Sequence, residues 1–170
     1  MRLLVLIAIL TLAPAAAAQD RTQILFKEPS GMKVFWLTKE NDKTVYSTKP
    51  LETPGRFNFR QGALYQLKLT HLEGHAGLEL FPTLEVVAAN PQTRAFLMHN
   101  SVPIQLTTDE INQVVKGSFV TKVVYLPSQQ NGDAITTVTG QDAIREATQR
   151  GNVLVVLRIG NIVEPPASKK

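Results

Sequence analysis

Short segments in which apolar and polar residues alternate recur between residues 23 and 106. In residues 32–39, MKVFWLTK, the apolar side chains of Met32, Val34 and Trp36 would share one side of an extended chain. Residues 63–72 repeat the alternation, and turn-forming stretches (NDK, KPLETPG and RQG) separate the segments. This spacing of short strands and turns predicts an antiparallel sandwich or a barrel-like sheet.

Further strands are predicted by the same reasoning for residues 23–27, 44–47, 56–60, 78–87, 94–98 and 101–106. Pro82 interrupts one of them and has no N–H to donate to a neighbouring strand. We therefore expect the strand of residues 78–87 to lie at a sheet edge or to carry a bulge.

A first helix is predicted after residue 107. Thr107 is followed three residues later by Glu110, which is the spacing of a capping box, and Gly117 stands where a left-handed cap would end the helix. The apolar side chains expected on one face of this helix are Ile111, Val114 and Val115. Residues 119–126 follow as a strand.

A second unit of helix, glycine and strand follows, with a helix over residues 141–150, Gly151 in the place of Gly117, and a strand over residues 153–159. The nearly continuous apolar run in this last strand is typical of a central strand that is covered on both faces. If the two strands are parallel, the crossover between them should be right-handed. The fold class predicted is α+β, a strand-rich antiparallel or mixed sandwich-like sheet with two short helices in the C-terminal third.

The first residues have the order of a secretory signal peptide. Arg2 precedes an apolar run over residues 3–12, and small residues end at Ala18 with no acid before Asp20. The run is shorter than the roughly 20 apolar residues that span a bilayer. We predict a signal peptide at residues 1–18, a single β-rich domain at 19–162 and a disordered tail at 163–170, with a retained anchor helix as the alternative. The expected location is the periplasm or the extracellular space, with no transmembrane segment after cleavage.

The sequence contains no cysteine, so disulfides, thiolate catalysis and a lipid-modified cysteine are excluded. Its formal net charge is +4. Basic residues are concentrated between residues 21 and 68: Arg21, Lys27, Lys33, Lys39, Lys43, Lys49, Arg56, Arg60 and Lys68. They would either form a face for an anionic partner or, because they are spread singly, a set of solvated strand edges.

The stretch of residues 70–77, THLEGHAG, is the first candidate for chemistry. On a strand, His71, Glu73 and His75 would project to one side and offer three zinc ligands. Gly74 and Gly77, however, lie between two predicted strands, where a turn is needed. The turn is the preferred interpretation, and no metal ligand is predicted.

Other candidate groups also have simpler interpretations. His99 and Ser101 lack the nucleophile-elbow motif, and Asp109 with Glu110 is explained by the positive end of a helix dipole. Trp36, with Phe35 and Tyr46 nearby, would stack on a sugar if it were exposed, but its alternating strand favours the core. We therefore predict no catalytic residue and no cofactor.

Several segments together resemble a family of exported bacterial proteins of unassigned function: GMKVFW, RFNFRQGALYQLKLT, GLELFPTLEV, GSFVTKVVYLP and RGNVLVVLRIGN. The resemblance covers most of residues 31–161. It implies export and a shared fold, and the positions of His71 and His75 vary in that family.

These features favour an exported, non-catalytic binding or structural module of the bacterial cell envelope, with an envelope protein or glycan as its partner and no role in nucleic-acid binding. One alternative is a carbohydrate-active or hydrolytic enzyme whose site is assembled from separated residues such as His99, Glu79 or Asp109. Another is a binder of anionic glycan that uses the basic N-terminal strands.

Overall fold

The structure, a computed structural model, describes residues 20–128 and 135–160. The predicted signal peptide of residues 1–18 and the predicted tail of residues 163–170 lie outside these ranges. In the described part of the chain, no helix is both long enough and apolar enough to span a membrane.

Strands dominate the described chain, as the alternating segments predict. The strands are β1 (Arg21–Glu28), β2 (Lys33–Glu40), β3 (Lys43–Tyr46), β4 (Leu51–Glu52), β5 (Gly55–Arg60), β6 (Ala63–Thr70), β7 (Thr83–Val86), β8 (Val102–Gln105), β9 (Val120–Pro127), β10 (Thr136–Thr139) and β11 (Gly151–Ile159). The helices are α1 (Pro91–Leu97), α2 (Thr108–Val115) and α3 (Ala143–Arg150). The predicted α+β, strand-rich fold class is confirmed.

The strands form two sheets. One sheet has three strands in the order β5-β1-β8, in which β1 is antiparallel to β5 and parallel to β8. The other has eight strands, with the order β10-β9-β11-β7-β6-β2-β3 and with β4 also paired to β2. The sheets are therefore antiparallel and mixed.

The main core lies between the two sheets. The smaller sheet contributes Ile24, Phe26 and Phe59, all nearly inaccessible to solvent, and the larger sheet contributes side chains such as Leu67 and Leu84. A second apolar cluster lies on the opposite side of the larger sheet, where α3 covers β9 and β11. Strand β11 is thus buried on both faces between β9 and β7, as its apolar sequence predicts.

Helix α2 begins and ends as the sequence predicts. Thr107 and Glu110 form a reciprocal capping box. At the other end, Gly117 has a left-handed φ of 86°, its N–H donates to Val114, and the N–H of Ser118 donates to the carbonyl of Gln113. This is a Schellman motif. Ile111 and Val114 are buried, but Val115 is 41% exposed, so its predicted place on the buried face is wrong.

The predicted strand at residues 94–98 is wrong, because the chain forms helix α1 there. Asn90 caps the helix through a capping box with Thr93, and Pro91 occupies its first turn. Proline suits that position because its ring fixes φ at a helical value and the missing N–H has no partner within a helix.

Two finer predictions about the sheet are also wrong, and the condition of a third, a parallel crossover, is not met. Strand β7 follows Pro82 but is an inner strand between β11 and β6, so it does not lie at an edge. Its register with β6 continues unshifted to the bridge between Leu69 and Leu80, so there is no bulge at Pro82. Strands β9 and β11 pair antiparallel, so they need no crossover. Gly151 has an extended φ of 176°, and its role is to avoid a collision between a side chain and the carbonyl oxygen of Leu126.

Candidate functional site

Four cations lie on the outer side of the three-stranded sheet. In β1 and β5 the residues alternate, so that Thr22, Ile24 and Phe59 point into the core while their neighbours point outward. The outward residues include Arg21, Arg56 and Arg60, and the exposed Lys27 follows at a register shift near the end of β1; we call these four residues the basic face. All of these four side chains are exposed.

The register brings the arginines of the basic face together. Arg21 lies directly opposite Arg60, and Arg56 lies opposite Leu25. The Arg21 guanidinium donates from Nη1 to the carbonyl oxygen of Asn58 at 3.0 Å, so it extends over β5. Two like charges directly opposite each other destabilise a sheet. The arrangement therefore costs some folding free energy.

No acidic side chain within the described residues forms an ion pair with a member of the basic face. The other described arginines each have such a partner: Arg94 with Asp20, Arg145 with Asp142, Arg150 with Glu146 and Arg158 with Glu85. The acid nearest in sequence to Lys27 is its neighbour Glu28, which lies at the end of β1 beside a register shift. These two side chains, both in the described part of the chain, do not form an ion pair. Among the described arginines, the three on the basic face are therefore the ones without an acidic partner.

A polar cavity of about 310 Å³ adjoins one end of the basic face. Arg21, Gln23 and Asn58 contribute one side, and the residues that follow α1, including His99 and Asn100, contribute the other. Gln23 and Asn58 face each other across β1 and β5. The cavity therefore combines a guanidinium, amides and an imidazole.

The nine basic residues of the N-terminal half lie in several different settings. Lys39 and Lys43 belong to the β2–β3 hairpin at the edge of the larger sheet. This position agrees with the interpretation of the basic residues as solvated strand edges. Arg21, Arg56 and Arg60 instead converge on one face. The sequence contains a partial signal, because residues 56, 58 and 60 in RFNFR are polar at every second position. The sequence does not give the register between β1 and β5, which is what places Arg21 opposite Arg60.

The histidine segment forms a turn. His71 has a left-handed φ of 57° and its Nδ1 lies 2.9 Å from the Thr70 hydroxyl. His75 places Nδ1 3.0 Å from the carbonyl of Glu73 and Nε2 3.0 Å from Oδ1 of Asn112. Its contacts thereby connect the turn to α2. Across the described residues, no three side chains of histidine, aspartate or glutamate are grouped so as to hold a metal ion.

The remaining enzyme candidates lie on different elements. His99 follows α1 and lines the cavity beside the basic face, whereas Asp109 is exposed in the first turn of α2. Glu79 lies in a groove of about 580 Å³ on the outer side of the larger sheet. There its Oε1 is 2.6 Å from Nζ of Lys68. The structure does not bring these three groups to one point, and Ser101 precedes β8.

Glu110 has a role beyond the predicted helix cap. Its Oε2 is 2.8 Å from Nζ of Lys122, and both side chains are buried. Lys122 also donates to the carbonyl of Gln105, and Thr139 donates to Oε1 of Glu110. Burial alone would raise the pKa of Glu110, but the hydrogen bonds from Lys122, the Thr107 N–H and Thr139, with the charge of Lys122, hold the pKa below its usual value.

Trp36 is half-buried and packs against the main core, on the side that its strand pattern predicts. Its ring centroid is 4.1 Å from that of Phe57 and 5.7 Å from that of Phe59, both on β5. The indole therefore joins the larger sheet to the smaller one. Phe35 points to the opposite side of β2, into the groove that contains Glu79.

Comparison with known proteins identifies no similar protein. No protein-family model matches the chain, and neither does any curated protein or solved structure.

Proposed function

We propose that the protein is an exported, non-catalytic binding module of the bacterial cell envelope, and that it holds an anionic partner on the basic face. The observation that carries this proposal is the unpaired state of Arg21, Arg56 and Arg60 within the described chain, where every other arginine has an acidic partner. The signal-peptide order of residues 1–18 supports export, and the pairing of β1 with β5 supports an anion-binding surface.

The chemistry of arginine explains why the basic face fits an anion. A guanidinium presents a rigid fork of donors that matches the two oxygens of a carboxylate, sulfate or phosphate group. Arg21 and Arg60 lie opposite each other, so one anionic group between them would relieve their repulsion. Binding would thus offset a cost that the free protein carries.

The positions of the candidate acid–base groups support a binding role. Glu79 and Glu110 are each engaged by a lysine, and His75 is held by the turn and by Asn112. These contacts stabilise loops and helices. A hydrolytic site instead needs an acid or base positioned beside a nucleophile or a second carboxylate.

Export rests on the sequence of residues 1–18 and on the family resemblance. The expected mature protein begins at Gln19. Mass spectrometry of the protein recovered from the periplasm or medium of an expressing bacterium tests this directly. Recovery of the full-length chain in the cytoplasm would overturn the export part of the proposal.

The binding part is tested with heparin, used as a soluble polyanionic probe, in an affinity measurement at low and high salt. We expect Arg56→Gln/Arg60→Gln to weaken binding at least tenfold. The matched control is Arg145→Gln/Arg150→Gln, which removes the same charge from α3 and should leave binding within about twofold, because screening limits the reach of distant surface charges. Equal losses in the two variants, or no binding by the unmodified protein, would contradict the proposal.

A further inference from the structure

We infer that the partner is a linear polysaccharide bearing carboxylates, and that the cavity beside Arg21 binds one of its sugar units. This inference rests on the proposed function, because it names the ligand class of the same face. It follows from three observations: amides placed between the cations, a polar cavity at one end, and the absence of aromatic side chains from the outward positions of β1 and β5.

The amides are arranged for hydroxyl groups. Gln23 and Asn58 face each other between the Arg21–Arg60 pair and Arg56. An amide offers both donors and an acceptor, so it can hydrogen-bond a sugar hydroxyl in either direction. A polymer with charge alone would need only the cations. Alternating amide and guanidinium groups match a chain in which hydroxyls and carboxylates alternate.

The basic face is long enough for a chain. At about 3.4 Å per residue, the distance along β1 from Arg21 to Lys27 is about 20 Å, and the distance along β5 from Arg60 to Arg56 is about 14 Å. The two rows lie side by side because β1 and β5 are paired, antiparallel to each other. The face therefore suits an extended polymer better than a single small anion.

The cavity supplies a place for one unit of that chain. Its volume of about 310 Å³ lies at the lower end of the range for small-molecule pockets. Arg21 lies at its junction with the basic face, and Asn100 and His99 add polar groups from the far side. Met98, which is 71% exposed, offers an apolar surface for the C–H face of a sugar ring.

The outward positions of β1 and β5 argue against other polyanions. The aromatic residues of these two strands, Phe26, Phe57 and Phe59, alternate with the outward residues and belong to the core or pack against it. Single-stranded nucleic acids are usually held by stacking of their bases on exposed aromatic rings. A membrane surface would need apolar side chains that insert, and Leu25 alone offers one on these two outward rows.

The test compares three polymers in calorimetric or fluorescence titrations. They are an oligogalacturonate with free carboxylates, the same chain fully methyl-esterified, and inorganic polyphosphate. We expect binding of the free oligouronate and weak or no binding of the ester. The variant Gln23→Ala/Asn58→Ala retains every charge, and it should bind the oligouronate about tenfold more weakly while its affinity for polyphosphate stays within about twofold.

A control variant, Gln141→Ala/Gln149→Ala, removes two exposed amides, one just before α3 and one within it, and should change neither affinity. Circular dichroism and unfolding midpoints show whether each variant is folded. If the Gln23→Ala/Asn58→Ala change affects both polymers equally, or neither, the sugar-specific inference is wrong while the anion-binding function stands. If the protein binds no polyanion, the proposed function itself is wrong.

Discussion

The buried ion pair between Glu110 and Lys122 shows how one residue can serve two purposes. Glu110 accepts the N–H of Thr107 as part of the capping box of α2, and the same carboxylate neutralises a lysine from β9. The sequence indicates the first contact because it is local. It does not indicate the second, which depends on where β9 passes in the folded chain.

Replacing Glu110 by glutamine should destabilise the protein by about 3–5 kcal/mol, because it leaves the buried ammonium of Lys122 without a counter-charge. Glutamine also fits the third position of a capping box, so the helix start is preserved and the charge effect is isolated. Urea unfolding at neutral pH measures the loss. The double variant Glu110→Gln/Lys122→Met should recover most of it, and a double variant no more stable than the single one would contradict this explanation.

The same carboxylate should contribute to acid sensitivity. Its pKa is lowered in the folded protein, so its stabilising contribution is fully present above the unfolded pKa of about 4.3 and is lost as the pH falls through the lower folded value. The free energy of unfolding should therefore fall between neutral pH and pH 3. In Glu110→Gln this fall should be shallower, because one linked carboxylate is missing. Identical pH profiles would show that Glu110 does not contribute.

At the scale of elements, helix α1 shows the value of a cap. Asn90 accepts the N–H of Thr93 at 2.8 Å, and its amide donates to Oδ1 of Asn152 at 2.7 Å. We expect Asn90→Ala to cost about 1 kcal/mol for the lost cap, with a further loss from the Asn152 contact. Asn90→Ser retains a capping oxygen and should lose less. Thermal unfolding of the two variants separates the contributions, and equal losses would show that the cap contributes little.

Features that depend on residues close in sequence are predicted correctly more often than features that depend on contacts between distant residues. Local signals, such as the alternation in β2 and β6 and the caps of α2, were sufficient for the fold class and for most strands. Asn90, Pro91 and Thr93 also carry a local helix-start signal, which outweighs the short apolar pattern that predicts a strand at residues 94–98. The antiparallel pairing of β9 and β11 and the close approach of Gly151 to Leu126 depend on partners distant in sequence, so no local pattern reveals them.

The candidate site depends on long-range pairing even more strongly. Arg21 and Arg60 are far apart in the sequence and become neighbours only through the register of β1 and β5. Taken singly, each looks like an ordinary solvated residue. Only the folded sheet shows that three arginines and two amides share one surface.

For the whole molecule, the basic face is expected to lower stability slightly. Arg56→Gln/Arg60→Gln reduces the formal net charge of +4 by two and removes the repulsion between Arg60 and Arg21. We expect the free energy of unfolding to rise by about 0.2–1 kcal/mol at low salt. The gain should shrink at high salt, because the Debye length falls from about 10 Å at 0.1 M to about 3 Å at 1 M.

The variant Arg145→Gln/Arg150→Gln makes the same change in net charge, but it removes arginines that have acidic partners. These arginines form ion pairs with Asp142 and Glu146 along α3, so their loss should lower stability by about 0.3–0.5 kcal/mol per pair. Urea unfolding of both variants at two salt concentrations distinguishes a general effect of net charge from a local one. If the two variants shift in the same direction, net charge dominates. Opposite shifts would mean that the arginines of the basic face lower the free energy of unfolding of the free protein. This is expected of a surface whose charges are neutralised by a bound anionic partner.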